Sequence, residues 1–514
     1  MPHTQLSGSA ISAQPSPNKR LSLLRVLTTV AFVLCVLYAS MVRLNGDDFW
    51  LQAKIGELIA QNGAIPDTLL FPFTEIVDEK FNAHEWLMSV VFHYALTLLG
   101  EDGMPFLISL LGLVLFAVMA RLCYVRTQGN YALALLGGYI SLLAENYRHV
   151  MRPELPSLIM MALLLCNLEA FRSKPAWRPA LWSCLLIALW ANSHGSFILG
   201  PALVGIFMAG SYLDELRLTH FKRWMPSPRV WRFALLLMAS LASCLLNPFG
   251  WELLQFVFSF SLHSEASKHL TEWLPTFDPR LRGIAGFWIA LGVWALLSAF
   301  MLRAWRRLGA VEWLMFFFFT LLAYRAIRFP VYLGMVAAYV LPACLPANWL
   351  AKERMPQWLK GGMTLSLSTL LLVGAYGNAS NSRIYDLQDR TKFTIPMVQV
   401  LSDPALHGNV LNSMELGAEL IYRAYPRLRP SMDCRVDSYG FEYATFNTQL
   451  LANESLLSEF VQRYDVRYLL MPSTRFDKFQ ELASWKSGKW RIYFDDTRTM
   501  LLQRADVQEG TPRL

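Results

Sequence analysis

Long apolar runs separated by short polar breaks fill the chain up to about residue 380, at roughly 21–43, 104–124, 130–146, 155–171, 179–193, 196–213, 231–247, 284–302, 309–324, 328–346 and 360–378. A run of about twenty apolar residues is long enough to cross a hydrocarbon core of about 30 Å as a helix. The pattern therefore predicts an α-helical polytopic membrane protein of about eleven spans. Two runs, 179–193 and 309–324, are short for that thickness, so their polar ends sit below the membrane surface.

One polar break is much longer than the rest. The stretch 44–103 carries Asp47, Asp48, Lys54, Glu57, Asp67, Glu75, Asp78, Glu79, Lys80, His84 and Glu85, so it must lie outside the hydrocarbon or line a wet cavity. Leu51, Ile55, Leu58 and Ile59 recur at helical spacing while Lys54, Glu57 and Gln61 fall on another face, which predicts an amphipathic surface helix. Asn62-Gly63 is its expected stop, Pro66 to Pro72 is extended, and a second helix is expected from near Asn82.

Beyond Asn381 the period shortens. Val410-Leu411, Tyr468-Leu469-Leu470, Arg491 to Phe494 and Met500 to Leu502 read as strands, with helices near 414–424 and 455–463. The expected organisation is a disordered cytoplasmic tail over 1–20, a transmembrane domain over 21–380 and a small α/β domain over 381–514. The last is expected to guide an acceptor or cap the cavity, and truncation after about Asn378 to leave a protein that still binds its donor.

Composition agrees: 54% of the 514 residues are hydrophobic and 16% charged, too apolar for an ordinary soluble protein. The net charge of +8 comes from Lys and Arg in alternate breaks, which places the N-terminus inside and the C-terminal domain outside the membrane. No continuous basic stripe exists, so no nucleic-acid partner is expected, while membrane lipids are. Seven cysteines without a CxxC spacing indicate neither a disulfide framework nor a zinc site. The absence of internal repeats and of a Gly-rich phosphate loop argues against a nucleotide-driven motor.

The candidate chemistry lies in the breaks assigned to the outside. Asp48 precedes a helix and is either its N-cap or a chemical group; Asp47 is its neighbour. Glu85 pairs with a loop cation, or converges with Asp48 to deprotonate a hydroxyl or hold a divalent cation. Arg148, Arg152, Arg325 and Arg328 are outside cations that break the positive-inside trend. They bind an anionic headgroup such as a phosphate, or form salt bridges to Glu145, Glu154 or Glu272. His84, His194 and Glu272 complete the candidate set.

The ordered series "GDDFWLQAKIGELI", "AHEWL", "MRPELPSL", "LWANSHGSFILG", "LNPFG", "TEWLPTFD", "YRAIRFPVY" and "RVDSYG…YDVRYLLM…YFDD" resembles a bacterial family of inner-membrane proteins in the GT-C glycosyltransferase superfamily, from about Asn45 to Arg504. The resemblance implies a multi-pass enzyme of the bacterial inner membrane. It would transfer a sugar from a polyprenyl-phosphate donor to a glycan, lipid or protein acceptor on the extracytoplasmic face. An acid of the first external loop would do the chemistry. Where such families read Asp-x-Asp, this chain has Gly46 and Asp48, so Asp48 is the acid carried over, with Glu85, Arg152, His194, Glu272 and Arg328 matching as they stand. The cofactor is left unassigned, with a divalent cation at Asp48 and Glu85 as one option. Two rival readings keep the same charges: a lipid-linked sugar or polysaccharide transporter, which would show two similar halves, and a non-catalytic scaffold of envelope assembly.

Overall fold

The computed structural model describes residues 47–145, 151–222, 224–262, 270–283, 285–346 and 392–507. The first predicted run, 21–43, and the last, 360–378, lie outside these residues, as does the N-terminal tail. Helices α1 (Asp47–Asn62), α2 (Trp86–Arg126), α3 (Tyr131–Glu145), α4 (Glu154–Ser173), α5 (Trp177–Ala191), α6 (Leu199–Leu218), α7 (Pro228–Ser243), α8 (Trp251–Leu262), α9 (Ala285–Arg303), α10 (Ala310–Arg325) and α11 (Pro330–Cys344) follow in order. Among the described residues, three helical stretches are long and apolar enough to cross a membrane: Trp86–Arg126, Glu154–Ser173 and Gly195–Leu218, with mean hydropathies of 2.4, 1.5 and 1.7. Shorter apolar helices occupy Tyr131–Glu145, Trp177–Ala191, Leu291–Arg303 and Pro330–Cys344, so the count of about eleven spans is not reproduced. Large exposed apolar side chains, among them Leu98, Trp182, Leu235, Met238 and Leu321, leave an outer surface suited to lipid.

Asn62 ends α1 as expected, because Gly63 takes the left-handed conformation (φ 67°) that closes a helix. The crossing of α1 over α2 depends on Gly56: a Cβ there would lie 2.0 Å from the Ser89 carbonyl oxygen, so only glycine lets the two backbones approach. The second helix starts at Trp86 rather than near Asn82, and α2 kinks at Gly100 (φ 64°).

The C-terminal part holds five strands, β1 (Gly408–Asn412), β2 (Leu428–Pro430), β3 (Val466–Pro472), β4 (Trp490–Asp495) and β5 (Thr499–Arg504), in the order β2-β1-β3-β5-β4. β1 pairs in parallel with β2 and β3, whereas β5 runs antiparallel to β3 and β4. Helices α12 (Met414–Ala424), α13 (Phe441–Leu450) and α14 (Glu454–Tyr464) connect them. The expected strands and the two helices are present, and only β2, three residues long, had no signal in the periodicity.

This part does not stand apart from α1. Phe49, Trp50, Phe71 and Phe92 share one apolar core with Ala418, Ile421, Met432 and Tyr439. The Trp50 and Tyr422 rings are 4.9 Å apart, Arg423 lies 4.5 Å over Trp50 and pairs with Glu101, and Arg435 Nη2 donates to the Leu69 carbonyl at 2.8 Å. A truncation after about Asn378 would strip this core from α1, so the expected donor-binding truncation is revised: the cut would expose large apolar side chains.

At the far end of the bundle, a buried cluster joins α2, α4, α10 and α11. Arg126 pairs with Glu169 at 3.0 Å and Glu312 at 2.9 Å, and Arg172 pairs with Glu312 at 3.2 Å. The Tyr339 hydroxyl donates to Glu169 at 2.8 Å, and its ring lies 3.8 Å under Arg126.

Candidate functional site

Four segments far apart in sequence meet at the start of α1 and α4. Asp48 lies within the first turn of α1, not at its N-cap, where the helix dipole favours a carboxylate. Arg152 Nε is 3.1 Å from Asp48 Oδ2, and Arg152 Nη1 donates to Glu272 Oε2 at 3.2 Å. Glu272 in turn accepts from Arg328 Nη1 at 3.2 Å through its other oxygen, while the Arg328 guanidinium lies 4.8 Å from the Trp273 ring centre. Backbone pairing sets this register: Ile327 N donates to Leu274 O at 2.9 Å and Thr276 N to Tyr324 O at 3.2 Å. Of the three acids considered as partners for the arginines, Glu272 is the one that bridges Arg152 and Arg328.

A second arm begins one helical turn along α1. Gln52 shares a face with Asp48, and its Nε2 donates to Glu85 Oε2 at 2.6 Å. Ser89 Oγ donates to Gln52 Oε1, fixing the amide orientation. Glu85 occupies the N-cap position of α2 but makes no side-chain cap bond, so its carboxylate points into the site instead. His194 Nε2 and His84 Nε2 face the same oxygen, Glu85 Oε1, at 3.7 and 3.9 Å.

Hydrogen bonding assigns the tautomers. His84 Nδ1 must donate to the Asn82 carbonyl at 3.0 Å, which leaves the lone pair on Nε2, and burial holds this imidazole below its ordinary pKa. His194 Nδ1 accepts from the Ser196 backbone N–H at 3.2 Å, so its Nε2 carries the hydrogen toward Glu85. Asn192 holds the loop in place, accepting from Trp86 Nε1 at 2.8 Å and donating to the Leu246 carbonyl at 2.7 Å.

The site thus gathers Asp48, Glu85, His84, Arg152, His194, Glu272 and Arg328. Arg325 is an exposed side chain at the end of α10. Arg148 and the Asp47 side chain lie outside the description. Gln52, Ser89 and Asn192 carry no sequence signal of chemistry; only the one-turn spacing from Asp48 to Gln52 could have pointed to the first. Among the described residues no group of three His, Cys, Asp or Glu side chains is arranged to hold a metal ion, and of the two carboxylates considered for one, Asp48 is engaged by Arg152 and Glu85 by Gln52.

No protein-family model matches the sequence, and no curated protein sequence matches it either. Solved structures do. The archaeal oligosaccharyltransferase AglB from Archaeoglobus fulgidus, in complex with an inhibitory peptide and a dolichol-phosphate, is similar with a TM-score of 0.57 at 12% identity over 96% of this chain and 75% of that one. ArnT from Cupriavidus metallidurans bound to undecaprenyl phosphate is similar with a TM-score of 0.54 at 15% identity over 95% of this chain and 99% of that one. At such identities the likeness is one of fold.

Proposed function

With a fold shared with the GT-C glycosyltransferases as the starting point, we propose that this chain transfers a sugar from a polyprenyl-phosphate donor to an acceptor on the extracytoplasmic face of a bacterial inner membrane. The N-terminus is then inside and the α/β domain outside, as the loop charges require. The observation that carries the reading is the convergence of Asp48, Arg152, Glu272 and Arg328 from four separate segments, next to a second carboxylate at Glu85. The neighbours solved with dolichol-phosphate and undecaprenyl phosphate support the donor class.

The donor phosphate takes the place of a carboxylate on Arg152 and Arg328, whose planar forks suit phosphate oxygens. Asp48 accepts the proton of the acceptor hydroxyl as its oxygen attacks the sugar C1. The bond from C1 to the phosphate oxygen breaks in the same displacement, C1 inverts, and polyprenyl phosphate leaves with the electron pair. A phosphate ester is already a good leaving group, so the arginines need only stabilise its charge. Gln52 Nε2 and His194 Nε2 orient Glu85, which holds the acceptor hydroxyl or shares the proton, and the bare Nε2 of His84 beside it is free to accept.

Native mass spectrometry of the full chain in nanodiscs with undecaprenyl phosphate tests this. Saturable binding lost in the Arg152→Ala, Arg328→Ala double variant is expected; absence of binding by the wild type would end the proposal. Reporter fusions near Glu79 and Glu272 should read outside and one after Arg307 inside; the reverse would put the acids on the wrong face.

A further inference from the structure

A concave feature lies away from these acids. The stretch Thr74 to Ile76, α13 and α14 enclose a cleft of about 510 Å³, within the range of roughly 300–1,000 Å³ usual for small-ligand sites. Its wall is a row of rings: Tyr443 to Phe446 at 6.3 Å, Phe446 to Phe460 at 6.0 Å and Phe460 to Tyr464 at 4.7 Å between centres. The spacing i, i+3 on α13 and i, i+4 on α14 turns these side chains to one face of each helix. Phe460 is buried, whereas Tyr443, Phe446 and Tyr464 keep part of their surface open.

The rim is charged. Glu75 accepts from Arg463 Nη2 at 2.7 Å and from the Tyr464 hydroxyl. The Tyr464 hydroxyl, a backbone N–H and the Arg463 guanidinium pull its carboxyl down to about 2, so it stays ionised. Rings beside a fixed carboxylate and guanidinium match a ligand with an apolar C–H face edged by hydroxyls. A lipid tail would take the Glu75 and Arg463 charges out of water without compensation. A peptide that binds by adding a strand needs a sheet edge for its backbone, and the walls here are helices and a loop.

We infer that this cleft is a carbohydrate subsite that holds the acceptor glycan, an inference that rests on the transferase reading. A pyranose face lies against Phe446 or Tyr464, with hydroxyls donating to Glu75 and accepting from Arg463. The stretch Thr74 to Ile76 belongs to the loop that begins with α1, so the surface that holds the acceptor is continuous in sequence with the one that carries Asp48.

Full-length protein in nanodiscs is applied to immobilised neutral hexose, N-acetylhexosamine and uronic-acid oligosaccharides and to a set of peptides, with undecaprenyl phosphate binding measured in parallel. At least one oligosaccharide class should be retained. Phe446→Ala should weaken it about tenfold, since loss of a stacking ring and its buried area is worth about one decade. Glu75→Gln, at an exposed position, should weaken it severalfold, and both variants should bind undecaprenyl phosphate as the wild type does. If Phe446→Ala does not fold, Glu75→Gln decides. No oligosaccharide binding, binding indifferent to Glu75→Gln, or retention of peptides alone would overturn the inference. Sensitive oligosaccharide binding in a protein that does not bind undecaprenyl phosphate would remove the acceptor role together with the transferase reading.

Discussion

Two clusters, each with two acids and two arginines, sit at opposite ends of the bundle and differ in one respect. In the Arg126, Arg172, Glu169, Glu312 cluster the side chains of Arg126 and Glu312 are 8% and 4% exposed, and the Tyr339 ring closes it. In the Asp48, Arg152, Glu272, Arg328 cluster the side chains of Asp48 and Arg152 are 39% and 30% exposed. The pairing is alike; access differs at these central pairs, while the outer members overlap, Arg172 being 22% and Arg328 17% exposed. A closed network has its charges matched by protein and serves the fold. An open one is matched in part by solvent, and a ligand can take over that part.

The comparison yields predictions of decreasing size. Arg126→Ala strands Glu312 in the interior with Arg172 as its remaining cation, a loss of about 3–5 kcal/mol. Little folded protein should survive extraction, as read by size exclusion and thermal unfolding. An Arg126→Ala protein as stable as Arg328→Ala would erase the distinction between the clusters.

Asp48→Asn should behave oppositely. Its partly exposed ion pair and its dipole contact are together worth on the order of 1 kcal/mol, so the variant should fold. Loss of a proton acceptor should cut sugar transfer about a hundredfold to ten-thousandfold. Near-normal transfer would move the base to Glu85. Arg328→Ala comes next: undecaprenyl phosphate affinity should fall about tenfold to a hundredfold, the worth of a charge-assisted hydrogen bond, with little change in thermal stability. Equal binding by an unstable variant would make the Glu272 bridge a structural one.

The smallest effect tests whether burial or pairing governs these carboxylates. Glu419 pairs with Arg423 at 3.3 Å, yet burial pushes its carboxyl up to about 7. A raised folded value means its contribution is full below the unfolded value of 4.5 and is lost as pH rises through about 7. Glu419→Gln should therefore gain on the wild type by a few degrees in Tm between pH 5 and 8. A gain in the opposite direction would show that the Arg423 pair dominates.

Much of the fold was legible because it rests on local pattern. The stop at Asn62-Gly63, the strands at 410 and 468–470, and the helix at 414–424 follow from turn chemistry and period. Of the site, Asp48, His84, Glu85, Arg152, His194, Glu272 and Arg328 are legible in the sequence, with Glu272 one of three acids open to the arginines, but the choice among those acids is not. Which acid faces Arg328 depends on a backbone register between 272–276 and 324–328 that no local period encodes. The Arg126 cluster is hidden for another reason: Arg126 and Arg172 follow apolar runs and read as orienting loop charges, and nothing local pairs them with Glu169 and Glu312. The union of α1 with the α/β part was hidden too, because Trp50 and Tyr422 are each unremarkable amphipathic positions.

Helix α4 ties the two clusters to each other. Arg152 lies two residues before its start and Arg172 in its last turn, so its 20 residues act as a ruler of about 30 Å between them. With the lower end clamped by Glu312, the azimuth of Arg152 around the helix axis is fixed from below. One residue added within α4 would turn the upper end by about 100° and raise it by about 1.5 Å. That swing would carry the guanidinium off Asp48 although every side chain of both clusters is unchanged. The height of Arg152 along the bundle and its aim at Asp48 are thus set by one count of peptide units.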